Sequence, residues 1–321
     1  MRNPNSVETR KTLNVTSLKH LALQISIPEK EIIDVSNNIK KHYWSNEEIQ
    51  TRRDGTSKVR KFYHPSPRLK KILKSIDRCL LKKIKLFDVV HGSRKGHSNI
   101  TNAEQHVNKQ CVHNTDIKDF FPSITPKKAY NLFIRLKCSP DIAHYLTRLC
   151  TADNHLPQGY NTSPNIANLV LVPLTQRIDG LRKKEGLTFS TYIDDLTIAG
   201  NKNLEKYSKT IRKIIHECGF EIKEEKSFCK KKHERQEVTG IVVNKNLNIN
   251  RKVFNDMRAK LHIGQKFGPS ALLGRIADRK GNKIESTEKI KKHLSGRISY
   301  IKSINQQKGE LLEKRFSCIN W

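Results

Sequence analysis

Asp116, Asp194 and Asp195 are the residues best placed to do chemistry in this 321-residue sequence. Asp116 closes the run Cys111-Val112-His113-Asn114-Thr115, and Asp194-Asp195 interrupt an alternating stretch from Phe189 to Ile198. The surroundings are overwhelmingly basic: 62 Lys and Arg stand against 31 Asp and Glu, a formal charge of +31. Carboxylates gathered in one place repel one another and raise their own pKa values. Divalent magnesium removes that cost and suits oxygen ligands. Three such carboxylates can hold two ions about 3.5–4 Å apart, one lowering the pKa of an attacking hydroxyl and the other steadying a leaving pyrophosphate. That is phosphoryl-transfer chemistry. An Asp-Asp pair alone is more often a polar turn, so its company has to decide.

The elements that must carry these residues are legible. Cys111 to Thr115 reads as a strand running into Asp116. Phe189, Thr191 and Ile193 alternate, as do Leu196 and Ile198, which gives a hairpin turning on Asp194-Asp195. Residues 68–86 read as an amphipathic helix with Leu69, Ile72, Leu73, Ile76, Leu80 and Ile84 on one face. Thr125-Pro126, Ser139-Pro140 and Ser163-Pro164 each look like an N-cap followed by Pro at the first helical position. Pro173 kinks or ends the helix of the third. Asn203 can cap a helix that stops near Gly219. Val238 to Val243 and Leu247 to Asn250 read as a strand pair. From Arg251 the pattern turns helical, with Ile290, Leu294, Ile298, Ile301 and Ile304 on one face. This order implies an α+β fold with a largely antiparallel sheet.

The charge calls for a polyanionic partner. No apolar run is long enough to span a membrane, and the N-terminus has no signal-peptide pattern. Nucleic acid is therefore the expected partner, with no membrane and a cytoplasmic address. Seven scattered cysteines without a CxxC pair argue against a disulfide framework or zinc site and read as reduced thiols.

Three ordered blocks narrow the chemistry. Tyr192-Ile193-Asp194-Asp195 resembles the YxDD signature of reverse transcriptases. Asn114 to Ile124 (NTDIKDFFPSI) resembles their first catalytic block, and Leu156 to Pro164 (LPQGYNTSP) the PQGxxxSP block between them. Asn102-Ala103-Glu104-Gln105-His106 matches the NAxxH element of bacterial retron enzymes, and Val238-Thr239-Gly240 their VTG element. The resemblance covers roughly residues 55–305 and points to the retron reverse transcriptases.

The resemblance implies that Asp116, Asp194 and Asp195 are the catalytic carboxylates and, with Ile117, the positions that hold two Mg2+ ions. Asp119 either lies near the triphosphate or shapes a turn. Phe121 is either the ring that tests the sugar 2′ carbon or a core aromatic. Gln158 and Gly159 allow close approach to a nucleotide, or simply lead into a helix. Arg60 resembles the arginine that clamps an incoming triphosphate, with general RNA contact as the alternative. Lys226 stands where polymerases place a proton donor, or is a solvated lysine. Asn102, His106, Val238, Thr239 and Gly240 are the expected RNA-binding elements, although local packing is the readier role for His106. Lysines between Lys223 and Arg235 suit duplex phosphates, read by shape and backbone.

The implied architecture is a right-hand polymerase: an N-terminal extension and fingers at 1–110, palm at 111–249 with interleaved fingers helices, and a helical, RNA-binding thumb at 250–321. It implies deoxynucleotide substrates and a cognate non-coding RNA serving as template and primer. The product is an RNA–DNA hybrid and single-stranded DNA started from an internal guanosine 2′-hydroxyl. It also implies an anti-phage setting with a separate effector protein. The rivals are another bacterial reverse transcriptase (group II intron-like or abortive-infection type), a scaffold that chiefly binds RNA and DNA, and a two-metal nuclease. The last has no use for PQGxxxSP or a YxDD hairpin.

Overall fold

Capping and apolar spacing set the helix starts in the computed structural model, which describes residues 12–51, 57–277 and 283–321. Ser17 caps α1 (Leu18–Ile25) by accepting the His20 N–H, and α2 (Glu29–Asn37) follows. Strands β1 (Tyr43–Thr51) and β2 (Ser57–Pro65) form a two-stranded sheet. The Ser66 hydroxyl accepts the Leu69 N–H and starts α3 (Pro67–Cys79), which buries Leu69, Ile72, Leu73 and Ile76 as the spacing predicts. The helix ends before residue 86. A 3-10 turn at Leu81–Lys83 replaces its last part and buries Leu81, which a continuing α-helix would carry off the apolar stripe.

Next come α4 (Asn99–Glu104), β3 (Cys111–Asp116), α5 (Phe120–Ser123) and α6 (Pro126–Arg135). Thr125 caps α6 through Lys128 N–H, as expected. Ser139 precedes α7 (Pro140–Cys150) without making a side-chain cap. α8 (Ser163–Val170) starts one residue earlier than the Ser-Pro signature predicts, because the Ser163 hydroxyl instead donates to Pro157 O at 2.6 Å. Pro173 lies in the first turn of α9 (Val172–Glu185), so the helix breaks at Leu171 as expected. β4 (Thr188–Tyr192), β5 (Asp195–Gly200), α10 (Glu205–Glu217) and β6 (Phe228–Lys231) complete this part. Then come β7 (Glu237–Val238), β8 (Ile241–Val242), α11 (Arg251–Phe267), α12 (Thr287–Ile304) and α13 (Gln306–Ser317).

These elements group into two compact units. The first takes in residues up to Glu47, Lys61–Ser98 and Gln110–Lys230; the second takes in Glu48–Arg60, Asn99–Lys109 and Lys231–Trp321. In the first, a four-stranded sheet runs in the order β4-β5-β3-β6, with β5 antiparallel to both β4 and β3. Phe189, Leu196 and Ile198 of the sheet join one core with Ile72, Phe133, Leu146 and Ile211 from the helices. In the second unit, Met257, Leu261, Ile290, Leu294, Ile298 and Leu312 are fully or almost fully buried on α11 to α13. The fold is α+β with antiparallel sheets, as the element order implies.

Three further expectations need correction. Cys111 and Cys229 are bonded as a disulfide on β3 and β6, with Cα atoms 6.7 Å apart. Their sequence separation of 118 hides a pairing that strand adjacency creates. The other described cysteines are free. Burial pushes the thiols of Cys138 and Cys150 up to about 11 and about 12, so neither is a thiolate at neutral pH. The strand expected from Val238 to Val243 is split by a tight turn at Thr239-Gly240, whose φ values of 47° and 82° are both positive, as in type I′ hairpins. Val242 still pairs with Asn248 through two backbone hydrogen bonds of 2.9 Å. The third correction concerns the aspartate hairpin. No helix among the described residues is long and apolar enough to cross a membrane.

Candidate active site at the end of the central strands

The hairpin does not turn on Asp194-Asp195. Tyr192 of β4 pairs with Asp195 of β5, so Ile193 and Asp194 are the turn and Asp195 is the first residue of its strand. Ile193 sits at φ 59°, a region that β-branched residues rarely enter. Two-residue hairpins favour positive φ because it matches strand twist, and usually place Gly or Asn there. Such strain costs about 1–3 kcal/mol and persists only where neighbours enforce it.

The neighbours are visible. Thr191 N–H donates to Val89 O, and His91 N–H donates to Thr191 O, both at 2.8 Å. This clips the segment Val89–Gly92 alongside β4. A Cβ on Gly92 would lie 2.4 Å from the Ile193 nitrogen and 2.7 Å from its Cγ1, so only glycine fits beneath the turn. The buried Asn168 of α8 donates its Nδ2 to Gly92 O at 2.8 Å and fixes that glycine from behind. Sequence reading missed Gly92 and Asn168. The one available signal was a His-Gly dipeptide outside any predicted element.

The ladder between β3 and β5 ends with Asp116 directly opposite Asp195. Directly paired residues project from the same face, with Cβ atoms about 4.5–5.5 Å apart. Asp194 is joined to the same point, because Ile117 N–H donates to its backbone carbonyl at 3.2 Å. Past the other side of Asp116, Lys223 N–H donates to Asp116 O and Lys118 N–H to Glu221 O, both at 2.8 Å. Asp116 is buried, while Asp194 and Asp195 are half-buried. Backbone register thus sets Asp116 and Asp195 opposite each other at one strand end, with Asp194 in the adjoining turn. Among the described residues, no three His, Cys, Asp or Glu side chains stand as a ready-made metal cage. The candidate donors are carboxylate oxygens, a type that suits a hard divalent cation rather than zinc.

The other expected site residues fall in three places. Asp119 is exposed at φ 40° and Phe121 is half-buried, its ring 5.7 Å from that of Phe120. Gln158 and Gly159 are stitched to β2: Tyr63 N–H donates to Gln158 O at 2.8 Å. Gly159 has φ 119°, and a Cβ there would lie 2.3 Å from Tyr63 O. The glycine is therefore required by close backbone approach as well as by its dihedral. Lys226 lies in the 3-10 turn Glu224–Lys226, and its side chain falls outside the described residues. Arg60 is exposed on β2 and belongs to the second unit.

Asn102, His106, Val238, Thr239 and Gly240 also belong to the second unit. Thr239 donates its hydroxyl to Asn99 O at 3.0 Å, and Asn108 N–H donates to Val243 O at 2.9 Å. The β7–β8 hairpin is thus docked on α4 and the turn that follows it. Asn102, His106 and Val238 are buried, Thr239 is half-buried and Gly240 is exposed.

On the same strand as Asp116, His113 of β3 is buried against the hydroxyls of Thr115 and Ser208. Burial, with Arg212 nearby, pushes its pKa down to about 4. Burial, His97 and Arg94 do the same to His91. The unfolded chain takes up protons on these rings near pH 6.5 while the folded chain does not. Their share of stability is complete above about pH 6.5 and is lost as the pH falls toward about 4. The melting temperature should therefore drop across that window, and less steeply in His113→Gln. Parallel pH profiles for the two proteins would contradict a neutral, buried His113.

A family model described as reverse transcriptase (RNA-dependent DNA polymerase) matches residues 49–243, more than half of the chain. The chain is also similar to curated relatives. It is 31% identical over 277 residues to the Retron Mx65 reverse transcriptase of Myxococcus xanthus, a match covering 80% of this chain and 61% of that protein. It is 33% identical over 208 residues to the Retron Ec86 reverse transcriptase of Escherichia coli, covering 64% and 65% respectively. The Retron Se72 reverse transcriptase of Salmonella heidelberg (strain 579083-10) is 32% identical over 204 residues, covering 63% and 53%. The matches thus span between half and two thirds of the length of these relatives.

Proposed function

The chain belongs to the reverse transcriptase family, and we propose that it is an RNA-directed DNA polymerase of the retron type. One observation carries the reading: Asp116 and Asp195 face each other across adjacent strands, with Asp194 in the turn beside them. Asp116, Asp194 and Asp195, with the backbone carbonyl of Ile117, would hold two Mg2+ ions. Bound there, such ions supply Lewis-acid activation of the attacking hydroxyl and positive charge for the departing pyrophosphate. The protein's own work is placement. Strand register sets the carboxylates at fixed spacing, and the strained Ile193 turn presents Asp194. Gln158 and Gly159 are assigned to the nucleotide site, on a loop that the Tyr63 backbone holds in place. Arg60 and Asp119 are assigned to the triphosphate, and Lys226 to the leaving pyrophosphate.

In this reading residues 1–110 form the N-terminal extension and fingers, 111–249 the palm and 250–321 the thumb. The basic helices α11 to α13 and the lysines around Lys231 and Lys232 hold duplex phosphates. The β7–β8 hairpin contributes to cognate RNA recognition through the shape that buried Asn102, His106 and Val238 give it, with Thr239 and Gly240 at its tip. The substrates are deoxynucleotides and a structured non-coding RNA that is both template and primer, in the bacterial cytoplasm. Priming from a guanosine 2′-hydroxyl, an anti-phage role and a separate effector protein complete the proposal; similarity to the named retron enzymes supports it. Nucleic acid purified with the protein tests the type. DNA that remains attached to RNA after denaturation, and is released by a debranching enzyme, is the expected result. Free, unlinked DNA would exclude the retron reading.

Phe121 is assigned the exclusion of ribonucleotides, because a rigid ring can reject a 2′-hydroxyl by bulk alone. Phe121→Val should lower discrimination against ribonucleotides about tenfold or more, roughly 1.4 kcal/mol. As only one half-buried ring is trimmed, the melting temperature should change little. A core role would instead cost about 3–5 kcal/mol. A destabilised variant that still rejects ribonucleotides would remove the assignment.

A further inference from the structure

Away from the three aspartates, the helical side of the first unit holds a cavity of about 700 Å3 that the polymerase reading does not use. Its walls include Lys40, Lys127 and Arg148 together with Tyr43, Tyr130 and Thr147. Among the described residues, the three cations have no acidic partner; Arg148 makes one hydrogen bond, from Nη2 to Asn37 O at 3.3 Å. The carboxylate on the wall, Asp153, is already taken. Lys61, Tyr43 and Tyr63 all donate to it at 2.8–2.9 Å, and the Lys61 hydrogen bond leads in holding its pKa down to about 2. Those bonds also lock the Tyr43 ring in place. Tyr130 and Thr147 stand on the facing helices α6 and α7, beside Lys127 and Arg148 respectively.

We propose that this cavity holds an unpaired nucleotide of the bound RNA, an inference that rests on the nucleic-acid reading above. The three cations take the phosphodiester, and the tyrosines line the space for a base. Cations and aromatic rings together form the usual surface for single-stranded nucleic acid, since every base has a stacking face. The volume lies within the roughly 300–1,000 Å3 of small-ligand sites and suits a nucleotide rather than a duplex.

The test uses the full chain and a short fluorescent single-stranded oligoribonucleotide, read by anisotropy. Lys127→Ala/Arg148→Ala should weaken binding about tenfold, and Tyr130→Ala, which removes no charge, by several-fold. The charge-matched control Lys19→Ala/Lys30→Ala should change it less than about twofold. In the unaltered protein, 4-thiouridine in the oligonucleotide should crosslink to peptides containing Tyr43 or Tyr130, an outcome independent of any variant's folding. Wild-type protein that binds RNA and extends primers, with no such crosslink and cavity variants equal to the control, would overturn the cavity assignment alone. Displacement of the oligonucleotide from the cavity by a free mononucleotide at low concentration would assign the site to a small effector and overturn it as well. Wild-type protein that neither binds RNA nor extends primers would overturn the functional reading, and this inference with it.

Discussion

Asp194→Asn/Asp195→Asn should abolish DNA synthesis, by at least about a thousandfold, while RNA affinity stays within about twofold of wild type. Asparagine keeps the volume and much of the hydrogen bonding but removes the charge that draws in a divalent cation. Removing groups that act as a unit costs far more than any single contact, as transition-state stabilisation is lost all at once. RNA affinity should survive because it comes from an excess of 62 basic over 31 acidic residues spread along the chain. The melting temperature should stay close to wild type, since both substitutions are isosteric and Asp194 and Asp195 are only half-buried. The readouts are primer extension, RNA binding and thermal unfolding on one preparation. Loss of both synthesis and binding, with a lower melting temperature, would make the pair a structural turn.

The second large effect is expected at a residue that touches no substrate. Gly92→Ala places a methyl group 2.4 Å from the Ile193 nitrogen and 2.7 Å from its Cγ1. Neither strand can yield easily. Val89–Gly92 is bonded to Thr191, and Asn168 holds the Gly92 carbonyl. The turn must therefore shift, and Asp194 with it. A misplacement of roughly 1 Å at catalytic groups can cost about a hundredfold in rate. Gly92→Ala should show that loss in kcat with primer-template affinity nearly unchanged. Asn168→Ala should show a smaller loss in the same direction, because it frees the clamp without adding bulk. Wild-type kcat in Gly92→Ala would mean that the turn is not held from beneath.

The comparison between sequence and structure follows the range of the interactions. Local chemistry was legible. Ser66 and Thr125 cap helices, Pro173 breaks one, and the Ile290 to Ile304 stripe is buried, because each depends on residues a few positions away. The positions of Asp116 at the end of one strand and Asp195 at the edge of a hairpin were legible from the apolar alternation on either side. Register was not. A hairpin turning on Asp194-Asp195 avoids strain, whereas the fold turns on Ile193-Asp194 and strains Ile193 through Gly92, about a hundred positions earlier. The Cys111–Cys229 bond and the Asn168–Gly92 clamp are likewise products of strand and helix adjacency. The Thr239-Gly240 turn was hidden because threonine rarely adopts positive φ, and apolar residues flank it on both sides. α1 and α2 carry short apolar patterns with buried Leu21, Ile25, Ile32 and Val35, too brief to stand out before their partners are known.

The central claim is that the aspartates at the end of β3 and β5 copy RNA into DNA. Its most direct test is extension of an oligo(dT) primer on poly(rA) by the purified chain, with dTTP and magnesium. The account predicts long poly(dT) products that vanish on chelation of the metal and in Asp194→Asn/Asp195→Asn. A folded, RNA-binding wild-type protein that incorporates no dTTP with magnesium or manganese would contradict it.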